Sequence, residues 1–235
     1  MSCDKTLIRC FWMRKRTASW LAGLLTFVLA SPGIYGQSPD TSERLSDNPS
    51  VVAWLGASLH QPLKTRVGHR RDNNVFVLGV SRIWPVVATR RVELDFALEA
   101  LPAVVATGVP RYEVLTLPEG SSTRLVGIRT AYGVGLMPLG LRLRVPLTQR
   151  IAFSLHAGGG LSVFSIAVPD PSERQLNYVG SAGADLSFGC IASRSVGVGF
   201  RFVHVSNGGS GPVNPGMNAG LFTLGVALGC REPAT

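Results

Sequence analysis

The sequence predicts an all-β fold, an eight-stranded antiparallel transmembrane β-barrel of the outer membrane that follows a cleaved signal peptide. Three observations predict it. The chain opens with a basic and then apolar segment, and after it no apolar run reaches the roughly 18 residues of a membrane-spanning helix. Glycine is frequent, with 27 residues, and charged residues make up only 16% of the chain. The rest contains eight segments of about ten residues with alternating faces, the pattern of a bacterial barrel.

The first 36 residues predict an export signal. Five basic residues precede the apolar run ASWLAGLLTFVLA at 18–30, which is shorter than the roughly 20 residues a spanning helix needs. We assign 1–36 to a signal peptide, with cleavage after Gly36 favoured over Ala30; an anchor that stays in place is the alternative. The polar, proline-bearing residues 37–50 predict a flexible periplasmic lead-in. The barrel is assigned to 51–235.

The charge of the exported part is modestly basic. Residues 1–36 carry five Lys or Arg and one Asp, so their removal lowers the formal charge from +9 by four, to +5. This excess suits an anionic partner without specifying one. The export signal and the lack of a basic helix or an aromatic-basic motif argue against nucleic acid.

The strands are predicted in chain order at 51–60, 74–84, 90–102, 129–146, 150–164, 177–190, 195–206 and 218–230. With the N-terminus in the periplasm, the longer connections (61–73, 103–128, 165–176 and 207–217) fall outside, as is usual for outer-membrane barrels. The fourth strand contains two prolines, and Pro138 predicts a bulge or bend. Gly158, Gly159 and Gly160 predict a kink or a close approach of backbones.

The third strand alternates most clearly. Val92, Leu94, Phe96, Leu98 and Ala100 share one face, and the acidic residues share the other. In a membrane barrel that acidic face lines the interior, where the carboxylates need cationic partners. We interpret the acids as an interior salt-bridge network rather than a metal or acid/base site, since nothing at metal-ligand spacing accompanies them. The carboxylates are Glu93, Asp95 and Glu99, and the candidate partners are Arg82, Arg142, Arg144 and Arg201.

The stretch FRFVHVSNGGSGPVNPGMNAG at 200–220 contains the candidate active site. Alternation places His204 and Ser206 side by side on the face that carries Phe200 and Phe202. A histidine beside a serine can take the hydroxyl proton during attack on an ester. If the last strand pairs across a hairpin, Asn218 falls on the same outer face.

The string His204-Val-Ser206-Asn207, followed after six residues by Asn214-Pro215-Gly216-x-Asn218, resembles the signature of the outer-membrane lipid A 3-O-deacylases, or acyloxyacyl hydrolase-like proteins. These are eight-stranded barrels that remove an ester-linked acyl chain from lipopolysaccharide. Over residues 200–220, the resemblance implies that Ser206 is the nucleophile, His204 the general base and Asn207 an oxyanion donor. The family has a glutamate where this chain has Asn218, which can orient the histidine but cannot stabilise the imidazolium with a charge.

The resemblance also implies the partner, lipid A of lipopolysaccharide in the outer leaflet, acted on by a monomer or homodimer without metal or organic cofactor. Arg66, Arg70 and Arg71, in an outer connection, are candidates for contact with its phosphates, the alternative being a solvated loop. Two other functions stay open: a non-catalytic structural or adhesive barrel, and an outer-membrane phospholipase, an enzyme class that often needs calcium between two protomers.

Two further predictions concern His156 and the pair of Cys190 and Cys230. His156 is predicted to be structural, because no partner is recognisable for it in the sequence. Cys190 and Cys230 end strands that run toward the oxidising periplasm, so a disulfide between them is open. A strand lies between them, however, and Cα atoms more than about 7 Å apart could not be bridged.

Overall fold

The computed structural model describes residues 50–64, 70–89, 91–117, 120–168, 174–191, 194–210 and 216–229. They form eight strands: β1 (Ser50–Lys64), β2 (Arg70–Ala88), β3 (Glu93–Leu117), β4 (Gly120–Pro146), β5 (Ile151–Phe164), β6 (Leu176–Ile191), β7 (Arg194–Ser206) and β8 (Met217–Leu228). Neighbouring strands pair antiparallel and β8 pairs with β1, which closes the barrel. The predicted all-β barrel of eight strands is therefore confirmed.

Some predictions fall outside these residues. The predicted signal peptide, the lead-in up to residue 49, Arg66 and Cys230 are not among the described residues, nor is the side chain of Cys190. The open question of a disulfide therefore stays open. In the described part of the chain, no helix has the length and apolar character needed to cross a membrane.

Alternation along each strand separates an apolar outer surface from the lumen. Large apolar side chains are exposed around the barrel, for example Leu55 at 59%, Leu139 at 73%, Phe200 at 47% and Phe222 at 77%. A continuous apolar surface of this extent is unfavourable in water. On a closed barrel, with every internal strand edge paired, it is the surface that contacts lipid.

The lumen has two halves. At the end where β7 finishes, called here the outer end, it is filled by apolar side chains of several strands, including Val75, Val104, Phe164, Val205 and Leu221. The half nearer Ser50 and Leu228 is polar and contains a cavity of about 150 Å³.

The predicted interior salt-bridge network is confirmed in that polar half. Asp95 and Glu99 are 3% and 6% exposed. Arg142 lies 2.8 Å from Asp95, Arg144 lies 2.8 Å from Glu93, and Arg201 lies 2.6 Å from Glu99.

Arg82 and His156 lie on opposite faces of the barrel wall. The prediction that Arg82 is an interior partner was wrong. Arg82 lies on the outer face, with its guanidinium 5.2 Å from the ring of Trp84. The neighbouring Ser81 and Ile83 are the residues that face the lumen. His156 lies in the lumen with its Nδ1 3.5 Å from Asp185, a partner that the sequence did not reveal.

β3 and β4 are longer than predicted, with 25 and 27 residues. The prediction of a long connection at 103–128 was wrong, because β3 and β4 stay paired from Val109 opposite Arg129 to Leu117 opposite Gly120. Pairing with the other neighbours ends earlier: β3 pairs with β2 only as far as Ala106, and β4 pairs with β5 only as far as Gly133. The paired ends form a two-stranded ribbon. At a rise of about 3.3 Å per residue, this ribbon continues for roughly 25 Å past the barrel.

The connection predicted at 61–73 is likewise mostly strand, with Lys64 paired to Arg70.

The irregularity predicted in the fourth strand is confirmed. The register between β4 and β5 shifts between Leu136 and Leu139, so a bulge contains Pro138. Gly160 faces this bulge, and a Cβ placed there would overlap the carbonyl oxygen of Leu136. The backbones therefore approach closely at Gly160, as the glycine run predicted.

Candidate active site

The hairpin of β7 and β8 brings His204 and Asn218 together. The two strands pair continuously up to Val205 opposite Met217, which sets His204 directly opposite Asn218. Their side chains are in contact, with His204 Nδ1 2.6 Å from Asn218 Oδ1. The imidazole N–H at Nδ1 donates to the amide oxygen, and Nε2 is then the nitrogen able to accept a proton. The predicted placement of Asn218 beside His204 on the same face is confirmed.

Both side chains lie on the outer surface of the barrel. His204 and Asn218 are exposed, whereas Val203 and Val205 are buried in the lumen at 8% and 2% exposure. Ser206 ends β7 two residues after His204 and therefore shares its face. The group faces the surroundings of the barrel at its outer end, next to the apolar side chains of Phe200 and Phe202.

Asn207 is built into the turn that follows Ser206. It is 1% exposed, and its Oδ1 accepts the N–H of Gly209 at 2.8 Å. The backbone N–H and the hydroxyl of Ser210 both donate to the carbonyl of Asn207, at 3.1 and 2.7 Å. Asn207 thus holds this turn, and the oxyanion role that the resemblance implies stays a prediction.

Two glycines allow the chain to pass close to the site. Gly208 and Gly216 have φ angles of +63° and +62°, a region that residues with a Cβ rarely adopt. A Cβ on Gly216 would lie 2.9 Å from Cε1 of His204, and one on Gly208 would lie 2.6 Å from the ring of Tyr178. Only glycine satisfies both the backbone conformation and the space at these two positions.

Tyr178 is the neighbour that sequence reasoning missed. It lies in β6 directly opposite Ser206, and 58% of it is exposed. No motif contains it, and its position follows only from the register between β6 and β7. Only two residues separate β6 from β7 in the sequence, so counting back from that connection is the one sequence signal that could have found it.

Two of the basic residues predicted to contact phosphate, Arg70 and Arg71, lie away from this site. Arg70 and Arg71 belong to β2, opposite Lys64 and Leu63 at the outer end of β1. β1 separates β2 from β8 in the barrel, so the backbone places them away from His204. Among the described residues, no three His, Cys, Asp or Glu side chains are arranged to hold a metal ion.

The chain shows distant likeness to solved outer-membrane barrels. It is similar to the outer membrane enzyme PagL, with a TM-score of 0.48 and 20% identity over 76% of this chain and 98% of that one. It is also similar to Neisserial surface protein A (0.47, 13% identity, 77% and 96% covered). A third is the attachment invasion locus protein Ail of Yersinia pestis (0.38, 10%, 77% and 95%). No protein-family model and no curated protein matches the sequence.

The class of this protein follows from the physical features of the barrel itself. The barrel is closed, its outer surface is apolar, and its lumen holds ion pairs and a packed core. Such a surface and such an interior together require a lipid environment. This chain is therefore an eight-stranded β-barrel protein of the outer membrane.

Proposed function

We propose that this protein is a serine esterase of the outer membrane that hydrolyses a 3-O-linked acyl chain of lipid A. The observation that carries the proposal is the contact of 2.6 Å between His204 and Asn218, on the lipid-facing side of the barrel and in one row with Ser206. A histidine oriented through one nitrogen presents the other to a neighbouring hydroxyl, which is the arrangement that activates a serine.

In the proposed reaction, the Ser206 hydroxyl attacks the ester carbonyl carbon while His204 Nε2 takes its proton. The tetrahedral intermediate then collapses, the bond to the sugar oxygen breaks, and the leaving sugar oxygen receives the proton from His204 and becomes a hydroxyl. His204 next deprotonates a water molecule, whose attack on the acyl-enzyme releases the free fatty acid and regenerates Ser206. Asn218 keeps Nδ1–H engaged throughout, and this chemistry uses no cofactor.

The surroundings support a substrate that is held in a membrane. Phe200, Phe202 and Phe222 are 47%, 44% and 77% exposed on the same outer face as the site. A lipid in the adjoining leaflet can meet this apolar surface with its acyl chain, while its polar head stays at the outer end. The ester bond of such a lipid lies at the boundary between the two parts, which is the level of Ser206 at the end of β7.

The positive charge of the protein also supports lipid A, with its phosphates, as the substrate. The predicted mature chain carries a formal charge of +5, and Arg70 and Arg71 belong to the outer end of β2. We propose that these arginines, with Arg66, contact the phosphates of lipopolysaccharide around the barrel. Guanidinium groups bind phosphate through paired hydrogen bonds.

The test is mass spectrometry of lipid A from cells that express the wild-type chain, Ser206→Ala or a matched serine control, Ser165→Ala. Ser165 lies between β5 and β6, where its hydroxyl accepts the N–H of Tyr132. We expect the loss of one hydroxyacyl mass with the wild type and with Ser165→Ala, and an intact lipid A with Ser206→Ala. Unchanged lipid A with all three, although the barrel is folded in the outer membrane, would reject the proposal.

The same cells also test the phospholipase alternative. Lysophospholipid and free fatty acid that appear with the wild type, depend on Ser206 and vanish when calcium is chelated would identify an outer-membrane phospholipase. The absence of both products, together with intact lipid A, would leave the non-catalytic structural or adhesive barrel.

A further inference from the structure

Tyr178 lies beside the proposed nucleophile without belonging to its motif. The pairing of β6 with β7 places Tyr178 directly opposite Ser206, at the outer limit of the contact between these strands. Directly opposite residues in antiparallel strands have Cβ atoms about 4.5–5.5 Å apart and share a face. Tyr178 is 58% exposed, so its side chain stands on the outer surface of the barrel.

The covered side of this ring lies against Gly208. A Cβ built on Gly208 would be 2.6 Å from Cε2 and 2.7 Å from Cδ2 of Tyr178. Real Cβ atoms do not come this close, so the edge of the ring is in direct contact with the bare backbone of Gly208. The φ of +63° at Gly208 turns the chain at this point.

The opposite side of the turn is held by Asn207. Its buried amide accepts the N–H of Gly209, and its carbonyl accepts two hydrogen bonds from Ser210. The residues immediately after Ser206 are therefore packed from outside by the ring of Tyr178 and bonded from the lumen side by Asn207.

We propose that Tyr178 is a positioning residue for Ser206. Its ring holds the turn at 207–210 in place, and through this turn it holds the Ser206 hydroxyl within reach of His204. The inference rests on the proposed function to the extent that Ser206 is the nucleophile. The ring, not the phenolic hydroxyl, makes the contact with Gly208, so phenylalanine serves in its place and alanine does not.

The experiment uses the full chain in detergent micelles, with two measurements. The first is the rate at which a fluorophosphonate probe labels Ser206, which reports an activated serine without the natural substrate. The second is amide hydrogen exchange of Gly209 and Ser210 by NMR. The variants are Tyr178→Ala, Tyr178→Phe and Tyr132→Ala, a matched control because Tyr132 is 61% exposed on the outer face of β4.

We expect Tyr178→Ala to slow labelling at least tenfold and to accelerate both exchange rates, and we expect Tyr178→Phe to stay within about twofold of the wild type. Tyr132→Ala should change neither measurement. Tyr178→Ala behaving like Tyr132→Ala would overturn the proposal. An equal loss in Tyr178→Phe and Tyr178→Ala would also overturn it, because the hydroxyl would then be the active part.

Failure of the proposed function has a different signature. In that case the wild type leaves lipid A intact and Ser206 is not labelled in any variant. Hydrogen exchange still decides whether the ring holds the turn: faster exchange in Tyr178→Ala alone supports the positioning contact, and unchanged exchange refutes it.

Discussion

Asn218 determines how strongly His204 can act as a base. The contact of 2.6 Å fixes the orientation of the imidazole, but a neutral amide adds no charge to stabilise the imidazolium that forms during attack. A carboxylate at the same place would supply both, because hydrogen bonds to an ionised acceptor are about twice as strong as neutral ones.

Two substitutions at Asn218 should therefore change turnover in opposite directions. Asn218→Glu should raise turnover about fivefold, the effect of roughly 1 kcal/mol on the barrier. Asn218→Leu, which removes the acceptor while keeping much of the volume, should lower turnover about a hundredfold. The measurement is the initial rate of fatty acid release from purified lipid A. A fall in rate with glutamate would show that the site is adapted to a neutral partner.

Gly208 and Gly209 form a matched pair for substitution. Their φ angles are +63° and +78°, so alanine at either position costs a similar backbone strain of about 1 kcal/mol. Only Gly208 is covered, since a Cβ on Gly209 meets nothing within 4 Å. Gly208→Ala should thus reduce turnover at least tenfold more than Gly209→Ala. Adding Tyr178→Ala to Gly208→Ala should not lower turnover further, since the contact is already lost. Equal effects of the two single substitutions would show that the space under Tyr178 is unimportant.

At the scale of strands, the bulge at Pro138 and the glycine facing it act together. Proline cannot donate to the strand ladder, so the register shifts between Leu136 and Leu139. The displaced backbone of β4 then occupies the place where a side chain at 160 would be. The glycine is required because two backbones meet, which is a packing constraint between strands.

Gly160→Ala is expected to destabilise the barrel by about 3 kcal/mol, as for severe overpacking. Gly159→Ala is its control, because a Cβ there meets only the carbonyl oxygen of Val179 at 3.8 Å, an ordinary contact. Its cost should be below about 1 kcal/mol. Urea unfolding in micelles, followed by tryptophan fluorescence, measures both. Similar midpoints for the two variants would mean that β4 can move away from β5 without loss.

The ribbon of β3 and β4 could not be predicted from the local sequence. Pro110, Pro118 and several glycines between 103 and 128 suggest a loop when read locally. In the structure, bulges near Val109 and Arg111 absorb the irregular positions, and pairing continues on both sides of them. A strand partner can thus override local turn preferences, because each added pair satisfies backbone hydrogen bonds on two strands at once.

For the molecule as a whole, Glu99 connects four strands across the lumen. Its carboxylate accepts hydrogen bonds from Ser81 at 2.6 Å and Trp54 at 3.1 Å, and from Arg201 at 2.6 Å. The guanidinium of Arg201 also lies 3.9 Å from the ring of Trp54. These contacts join β1, β2, β3 and β7 at the boundary between the polar and the apolar half of the lumen.

Removal of this carboxylate should weaken the entire barrel. Glu99→Ala leaves the buried Arg201 without its partner, and we expect a loss of about 3–5 kcal/mol in the free energy of unfolding. Glu93→Ala is the milder comparison, since Glu93 and Arg144 are 21% and 20% exposed, and should cost about 1 kcal/mol. The double variant Glu99→Leu with Arg201→Met should recover most of the stability. Urea unfolding tests this order, and a Glu99→Ala loss no larger than that of Glu93→Ala would contradict it.

Features that depend on the period of two along a strand could be predicted from the sequence alone. The alternation of Val92 to Ala100 against Glu93, Asp95 and Glu99 assigned one face to lipid and the other to the lumen. The same period placed His204 and Ser206 side by side, and Asn218 on the same outer face once a hairpin was assumed. These inferences held because the direction of each side chain along a strand is set locally.

Contacts between residues of different strands became known only from the folded barrel. Tyr178 lies opposite Ser206 and against Gly208 because of the register of β6 against β7. Arg201 pairs with Glu99 across the lumen, whereas Arg82, equally basic, lies on the outer face. Register and facing depend on bulges, on strand stagger and on closure of β8 onto β1. These are properties of the assembled sheet, so no single segment of the sequence encodes them alone.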